Sequence, residues 1–447
     1  MPRLAWILVL LAACDDAPAP DAPAPDATTV PTLAELQSSV FTPSCAFAAC
    51  HGGANPKNGL DLSSLEASEA SLIGQPGKAA GTVRVAVGDP DGSLLVQTLE
   101  GAVGSVRQMP LGFVLSPEVQ QSVRAWVAGG APRGELGGEV VKPVAPEPPS
   151  GGPTPDDLPP PSVEAGFQMG IDTVAPANQE IWKCMVTNLP TVAPTPVHRV
   201  ESIQTRGVHH MDVMALGLLR LPIENGMYDC DELYSTYQEM MEDGIFIFAS
   251  QNEREALELP DGIAAGLPAG LQVMVEMHFV NPFAQDMPVF SRINAYTMPQ
   301  NEVRGQIWGG AVRDQDINVP PRTERHYEWT RCEMNRAVDV IILSSHTHQL
   351  AEYVDVYLWE NGERKRAVYE NYDWHAPPLK QFDPPLHLEP GMGFEFRCHY
   401  RNPTDSEVNW GFQAKDEMCQ IAIVHTPLDL VAKCEVVETG AGPELPE

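Results

Sequence analysis

A small all-α domain followed by two antiparallel, jelly-roll-like β-sandwich domains is the architecture that this sequence predicts. Three observations carry the expectation. Two proline-rich stretches divide the 447-residue chain, and a composition shift of that kind marks linkers. Before the second stretch, apolar residues recur at helical spacing; after it, short β-branched or alternating runs recur between turn residues. At 43% hydrophobic residues the chain has the composition of a globular protein long enough for several cores.

The first element is a targeting segment, residues 1–14. A basic start at Arg3 leads into the apolar run Leu4–Ala13, which is too short to span a bilayer and suits a signal-peptide core. The run ends in Leu11-Ala12-Ala13-Cys14, which resembles a bacterial lipobox, so Cys14 is expected to carry lipid. The expected location is therefore exported and lipid-anchored to a bacterial membrane, periplasmic or on the cell surface, with membrane contact only through that anchor. Residues 15–31 repeat Asp-Ala-Pro-Ala-Pro and cannot build a core, so they read as a semi-rigid tether.

Residues 32–133 read as the helical domain. One helix starts near Leu33. A second is signalled by Ser116 as N-cap, Pro117 at the first helical position, an apolar stripe at Val119, Val123, Trp126 and Val127, and Gly129-Gly130 as its stop. Between them, Cys45-Ala-Phe-Ala-Ala-Cys50-His51 joins two thiols and an imidazole. Covalent haem attachment uses that set, two thioethers and an iron-binding histidine, although two residues usually separate the cysteines where this chain has four. A local disulfide is the alternative. Met109, in Gln108-Met109-Pro110, stands where a second axial thioether belongs. With the Trp126 helix, this region resembles the small class I cytochromes c, and the resemblance implies haem c held by Cys45, Cys50, His51 and Met109.

Residues 134–163 form the second linker. Beyond it, Val273–Val280, Ala337–Leu343, Tyr353–Leu358, Gly393–Tyr400 and Gln420–Val424 read as strands. A region of ~270 residues exceeds one sandwich of about 100, so two are expected, residues 164–300 and 301–437. Cys184, Cys230, Cys332, Cys398, Cys419 and Cys434 fall in this region. An even set in an exported protein suggests disulfides, and six cysteines allow 15 pairings.

A net charge of −32 argues against nucleic acid as a partner, because phosphate backbones would repel the chain. The chemistry sits in histidines. Val208-His209-His210-Met211 places two imidazoles side by side, on opposite faces of a regular strand, so one metal could use both only through a twist, a bulge or different ring nitrogens. Ser345-His346-Thr347-His348 puts two rings on one strand face. His278 closes an apolar strand, and Met418 lies in Asp416-Glu417-Met418-Cys419. Imidazole suits copper, zinc or iron, whereas a thioether is soft and favours Cu(I), so a set of two histidines and a methionine favours copper.

Trp182-Lys183-Cys184, Val208-His209-His210-Met211, Met277-His278, Ser345-His346-Thr347-His348, Phe396-Arg397-Cys398 and Asp416-Glu417-Met418-Cys419 follow one another in an order that resembles the copper type II, ascorbate-dependent monooxygenases, the family of the peptidylglycine α-hydroxylating and dopamine β-monooxygenases. The resemblance runs from about Phe167 to Cys434. It implies two copper ions: His209, His210 and His278 on an electron-donating one, and His346, His348 and Met418, the catalytic set, on the one that binds O2. It also implies the disulfides Cys184–Cys230, Cys332–Cys434 and Cys398–Cys419. The implied reaction hydroxylates a C–H bond of a small organic substrate with O2, using ascorbate or another reductant. The haem domain is the expected electron donor, itself supplied by an electron-donor partner.

Several positions depart from the family pattern. Members acting on peptides carry an arginine where this chain has Ser344 and a tyrosine where it has Ala422; Gln420 replaces an asparagine and Glu276 a glutamine, and one disulfide of the N-terminal sandwich lacks its cysteines. A peptide C-terminus is therefore not the expected substrate. The alternative is a non-catalytic, exported copper-binding or electron-transfer protein, and a structural adhesion module is the third reading. Copper- and reductant-dependent O2 uptake separates the first two; absence of stoichiometric copper marks the third.

Overall fold

The computed structural model describes residues 30–48, 50–53, 56–79, 81–104, 106–111, 113–135, 151–219, 221–240, 245–374, 377–411 and 416–442. The expected signal segment, nearly all of the tether and half of the second linker lie outside these residues. Among those described, no helix is long and apolar enough to cross a membrane.

Strands in several sheets make up most of the regular structure, with few helices. The first unit holds α1 (Leu33–Leu36), α2 (Thr42–Ser44), α3 (Leu65–Leu72), α4 (Leu94–Glu100) and α5 (Pro117–Ala128), joined by isolated bridges such as Ile73↔Val85 and Val83↔Ser93. The Ser116 side chain accepts from the Val119 N–H at the start of α5, a cap that contributes about 1 kcal/mol. The stripe of α5 is buried, and Trp126 also donates its indole N–H to the Pro132 carbonyl at 3.1 Å. Leu33, Leu36, Phe41, Leu72 and Leu99 complete a core separate from those of the sandwiches.

The second unit contains β1 (Gly166–Ala175), β2 (Gln179–Asn188), β3 (Thr195–Gln204), β4 (Val208–Ala215), β5 (Gly226–Asp229), α6 (Cys230–Thr236), β6 (Phe246–Ser250), β7 (Arg254–Glu258), β8 (Ile263–Leu267), β9 (Gln272–Asn281), β10 (Met287–Thr297) and β11 (Gly305–Gln306). One sheet runs β1-β10-β3-β8-β11, with β7 also on β3; the facing sheet runs β5-β2-β9-β4-β6. Ile171, Ile293, Val275 and Met277 fill the space between them, because alternate residues of each strand point inward.

The third unit contains β12 (Trp308–Asp314), β13 (Asn318–Val319), β14 (Thr323–Met334), β15 (Val338–Thr347), β16 (Ala351–Glu360), β17 (Glu363–Asn371), β18 (Lys380–Leu388), β19 (Gly393–Asn402), β20 (Val408–Asn409), β21 (Cys419–Thr426) and β22 (Cys434–Gly442). Its sheets run β12-β21-β15-β18 and β17-β16-β19-β14-β22, beside a β13-β20 ribbon. Where the sequence places the division between sandwiches at residue 300, the sheets divide at Ile307, because β11 still pairs with β8 of the first sandwich. Leu259 of the first sandwich packs with Ile341 and Ile342 of the second.

Three disulfides form: Cys184–Cys230 ties β2 to α6, Cys332–Cys434 ties β14 to β22, and Cys398–Cys419 ties β19 to β21 across the two sheets. Cys45 and Cys50 carry free thiols, not the local disulfide weighed above.

Candidate metal centres

The adjacent histidines of β4 meet on one side because the strand bulges. Gly207, at φ 91°, turns the chain into β4. In the β4–β9 ladder Val208 pairs with Phe279 and His210 with His278, so His209 is the extra residue of the bulge. The His209, His210 and His278 rings lie 5.0–5.3 Å apart, centroid to centroid. One nitrogen from each falls within 4.8 Å of the other two.

Carboxylates behind the rings fix which nitrogens face inward. His210 Nε2 lies 2.8 Å from Glu276 Oε1, and His278 Nε2 lies 2.7 Å from Glu180 Oε1. A carboxylate accepts, so each Nε2 donates and the neutral ring keeps its lone pair on Nδ1. His209 Nδ1 sits 2.9 Å from His210 Nδ1. Two nitrogens at that separation need a proton or a cation between them, and the three imidazoles therefore fit a metal ion. Asp212 lies 3.8 Å from His210 Nε2. Burial pushes the Asp212 carboxyl up to about 7. Burial also works to raise Glu276, but donation from His210, Tyr234 and Trp182 outweighs it and holds the carboxyl below its ordinary value.

The second constellation lies in the other sandwich. The His346 and His348 rings are 5.4 Å apart. His348 Nδ1 donates to the Asp416 carbonyl at 2.8 Å, which leaves Nε2 as the free lone pair. His346 is exposed; the protein packed around it, then His348 and Arg313, push its imidazole down to about 4 and keep it neutral. Solvent contact screens part of that effect without changing its direction. In the β15–β21 ladder Thr347 pairs with Cys419, and one step further along the two chains stand His348 and Met418. The Met418 backbone is pinned by Tyr400, whose hydroxyl donates to its carbonyl at 2.8 Å, and by the neighbouring Cys419 disulfide. Two imidazoles, with Met418 across the chain pairing from His348, are a ligand set that suits a copper cycling through Cu(I).

Glu417 escaped the sequence reading, although it lies inside the quoted Asp416–Cys419 motif. It is fully buried and accepts from the backbone N–H groups of Leu350 at 2.6 Å, His348 at 3.0 Å and Met418 at 3.3 Å. One carboxylate thus ties the His348 turn to the Met418 turn. Glu180 gave no sequence signal, since only pairing of β2 with β9 brings it to His278. The departures from the family pattern share a patch. Ser344 pairs with Ala422, and His346, Gln420 and Arg313 form the next row across β15, β21 and β12. Arg313 Nε donates to Gln420 Oε1 at 3.0 Å.

The Cys45, Cys50, His51 and Met109 group comes together on the wall of one cavity of about 430 Å3, with Phe41, Leu62, Leu72, Leu94, Leu99 and Phe113 around it. That volume lies in the about 300–1,000 Å3 range of small-molecule and cofactor pockets. His51 Nδ1 is buried without a hydrogen-bond partner, and burial pushes the imidazole down to about 4, leaving a neutral ring able to bind metal. Burial pushes both thiols up to about 12, so they are protonated. An apolar cradle with two free thiols, a neutral imidazole and a thioether fits haem.

Two β-sandwiches, one presenting three converging imidazoles, two of them backed by carboxylates, and the other two imidazoles with Met418 on the neighbouring stretch of chain, define a protein with paired metal-ligand sets. Residues 307–438 match the family model for the C-terminal domain of the copper type II ascorbate-dependent monooxygenases, and that stretch holds His346, His348 and Met418. No curated protein matches the chain. Among solved structures, one described as "Crystal Structure of the STIV MCP" is 10% identical with a TM-score of 0.25, covering 59% of this chain and 93% of that chain.

Proposed function

We propose that the chain is a copper-dependent monooxygenase that hydroxylates a C–H bond of a small organic substrate. Bound copper supplies one-electron redox chemistry toward O2, and the net change consumes one O2, two electrons and two protons, yielding the alcohol and one water. The observation that carries the reading is the convergence of His209, His210 and His278 on one point, with Glu276 and Glu180 turning two of the rings inward, in a chain whose second sandwich matches the family model. On this reading His209, His210 and His278 hold the electron-donating copper, and His346, His348 and Met418 hold the copper that meets O2. Glu417 keeps His348 and Met418 in position.

Exposed Ala422 leaves room beside His346 where peptide-acting members carry a tyrosine, while Ser344 is buried against the Pro378 carbonyl. Arg313 makes no ion pair among the described residues, although the chain has 60 acidic residues to 28 basic ones. Its free guanidinium edge supports a substrate bearing a carboxylate or similar acceptor. The helical unit carries haem c through Cys45, Cys50, His51 and Met109 and serves as electron donor, with ascorbate or another one-electron reductant upstream. Three disulfides support an exported, oxidising location, and lipid at Cys14 would tether the protein to a bacterial membrane.

The test is metal and haem analysis of the full chain, followed by O2 uptake with ascorbate. Two coppers per chain and uptake abolished by a copper chelator are expected. Two coppers without reductant-dependent uptake would favour the non-catalytic copper-binding alternative, and absence of copper would end both.

A further inference from the structure

We propose that electrons reach the copper pair across the seam between the helical unit and the first sandwich, passing directly from a haem in the 430 Å3 cavity to the His209/His210/His278 centre. The inference rests on the haem and copper reading above and adds the route.

The cavity is not enclosed by the helical unit alone. Cys45, Cys50, His51 and Met109 line it together with Val208, His209, Gln251, Asn252 and Val280 of the first sandwich and with Asp373 and Trp374 of the second. Val280 lies two residues beyond His278 on β9. The wall thus includes the bulged end of β4 and the neighbouring end of β9, the segments that present the three imidazoles. Among the described residues, the lining includes none of His346, His348 and Met418. Glu180, which holds His278, also lies close enough to Cys50 for its charge to act on the thiol, after burial. Electron tunnelling falls steeply with distance, so a cofactor filling this cavity couples to the three-histidine centre first.

The seam is built to hold that geometry. Phe113 packs edge-on against Phe283 of the first sandwich, with ring centroids 5.5 Å apart. Arg107 pairs with Asp373 of the second sandwich at 2.6 Å. The Asn58 N–H donates to Gln349 Oε1 at 2.9 Å, and the buried Arg401 guanidinium donates to the Gly77 carbonyl. The helical unit therefore touches both sandwiches, and of the candidate copper ligands it is His209 that lines its cavity. Haem held by Cys45, Cys50, His51 and Met109 would give up one electron per transfer, Fe(II) to Fe(III), and copper held by His209, His210 and His278 would accept it, Cu(II) to Cu(I), with no bond or proton moved. Two transfers, replenished by an external one-electron donor, match one hydroxylation.

The test uses the full, copper- and haem-loaded oxidised chain without O2, and a flash-generated flavin semiquinone as one-electron donor. Haem absorbance should rise and then decay in a first-order process whose rate is independent of protein concentration. Freeze-quench EPR should show loss of the Cu(II) signal that survives in Met418→Ile. Arg107→Glu should slow the decay at least tenfold in molecules that carry both haem and copper, and Arg107→Glu/Asp373→Arg should restore it. Decay that scales with protein concentration, an unchanged rate in Arg107→Glu, or first reduction of the copper missing from Met418→Ile would each overturn the route. A chain without covalent haem would instead overturn the haem reading beneath it.

Discussion

Replacing Glu276 with leucine should unmake the three-histidine centre while sparing the other. The Glu276 carboxylate accepts from His210 Nε2 at 2.8 Å, Trp182 Nε1 at 2.7 Å and the Tyr234 hydroxyl at 2.5 Å. Leucine leaves all three donors without that partner in a site only 3% exposed. Each orphaned donor costs about 1–3 kcal/mol, so the loss is roughly 3–6 kcal/mol once partial relaxation is allowed. That is a large share of the about 5–15 kcal/mol that holds a domain folded. With no carboxylate to take the Nε2 proton, His210 also loses its fixed tautomer, and copper affinity at this centre should fall about 10–100-fold. Glu276→Gln supplies the contrast: its amide oxygen can still accept from His210 and Trp182, and the cost should drop to about 1 kcal/mol. Urea unfolding measures the first quantity, and copper competition against a chelator, read at each centre by EPR, measures the second. Equal stability and equal affinity in the leucine and glutamine variants would refute the reasoning.

Met418→Ile removes the thioether but keeps the bulk; O2 uptake should vanish while one copper per chain remains, as read by elemental analysis. Arg313→Ala should raise KM for an acceptor-bearing substrate roughly 10–100-fold with kcat retained, as expected for loss of one charge-assisted contact of about 1.5–3 kcal/mol, and steady-state O2 uptake checks the split. Cys332 and Cys434 are 102 residues apart, so replacing both with serine should cost the second sandwich about 4–5 kcal/mol by the chain-entropy account, seen as a lower urea midpoint.

The positions of the helices and strands were legible along the chain. Ser116, Pro117 and the stripe through Trp126 predict α5, and its limits, Pro117–Ala128, follow from those local signals. The five runs read as strands lie within or across β9, β15, β16, β19 and β21, because alternation and β-branching are written locally. The candidate ligands could be picked out as residue types at suggestive spacings. How they meet could not. His209 and His210 are incompatible with one metal on a regular strand, and only the register slip against β9 turns both rings the same way. Glu180 and Glu417 act through partners 98 and 69 residues away, at separations that no local pattern records. The cavity that the helical unit shares with both sandwiches belongs to no one piece of sequence. Residue identity thus supplied the chemistry available to this chain. Packing across strands and between units decided which lone pairs face a common point, because a metal centre is a matter of distance and direction in space.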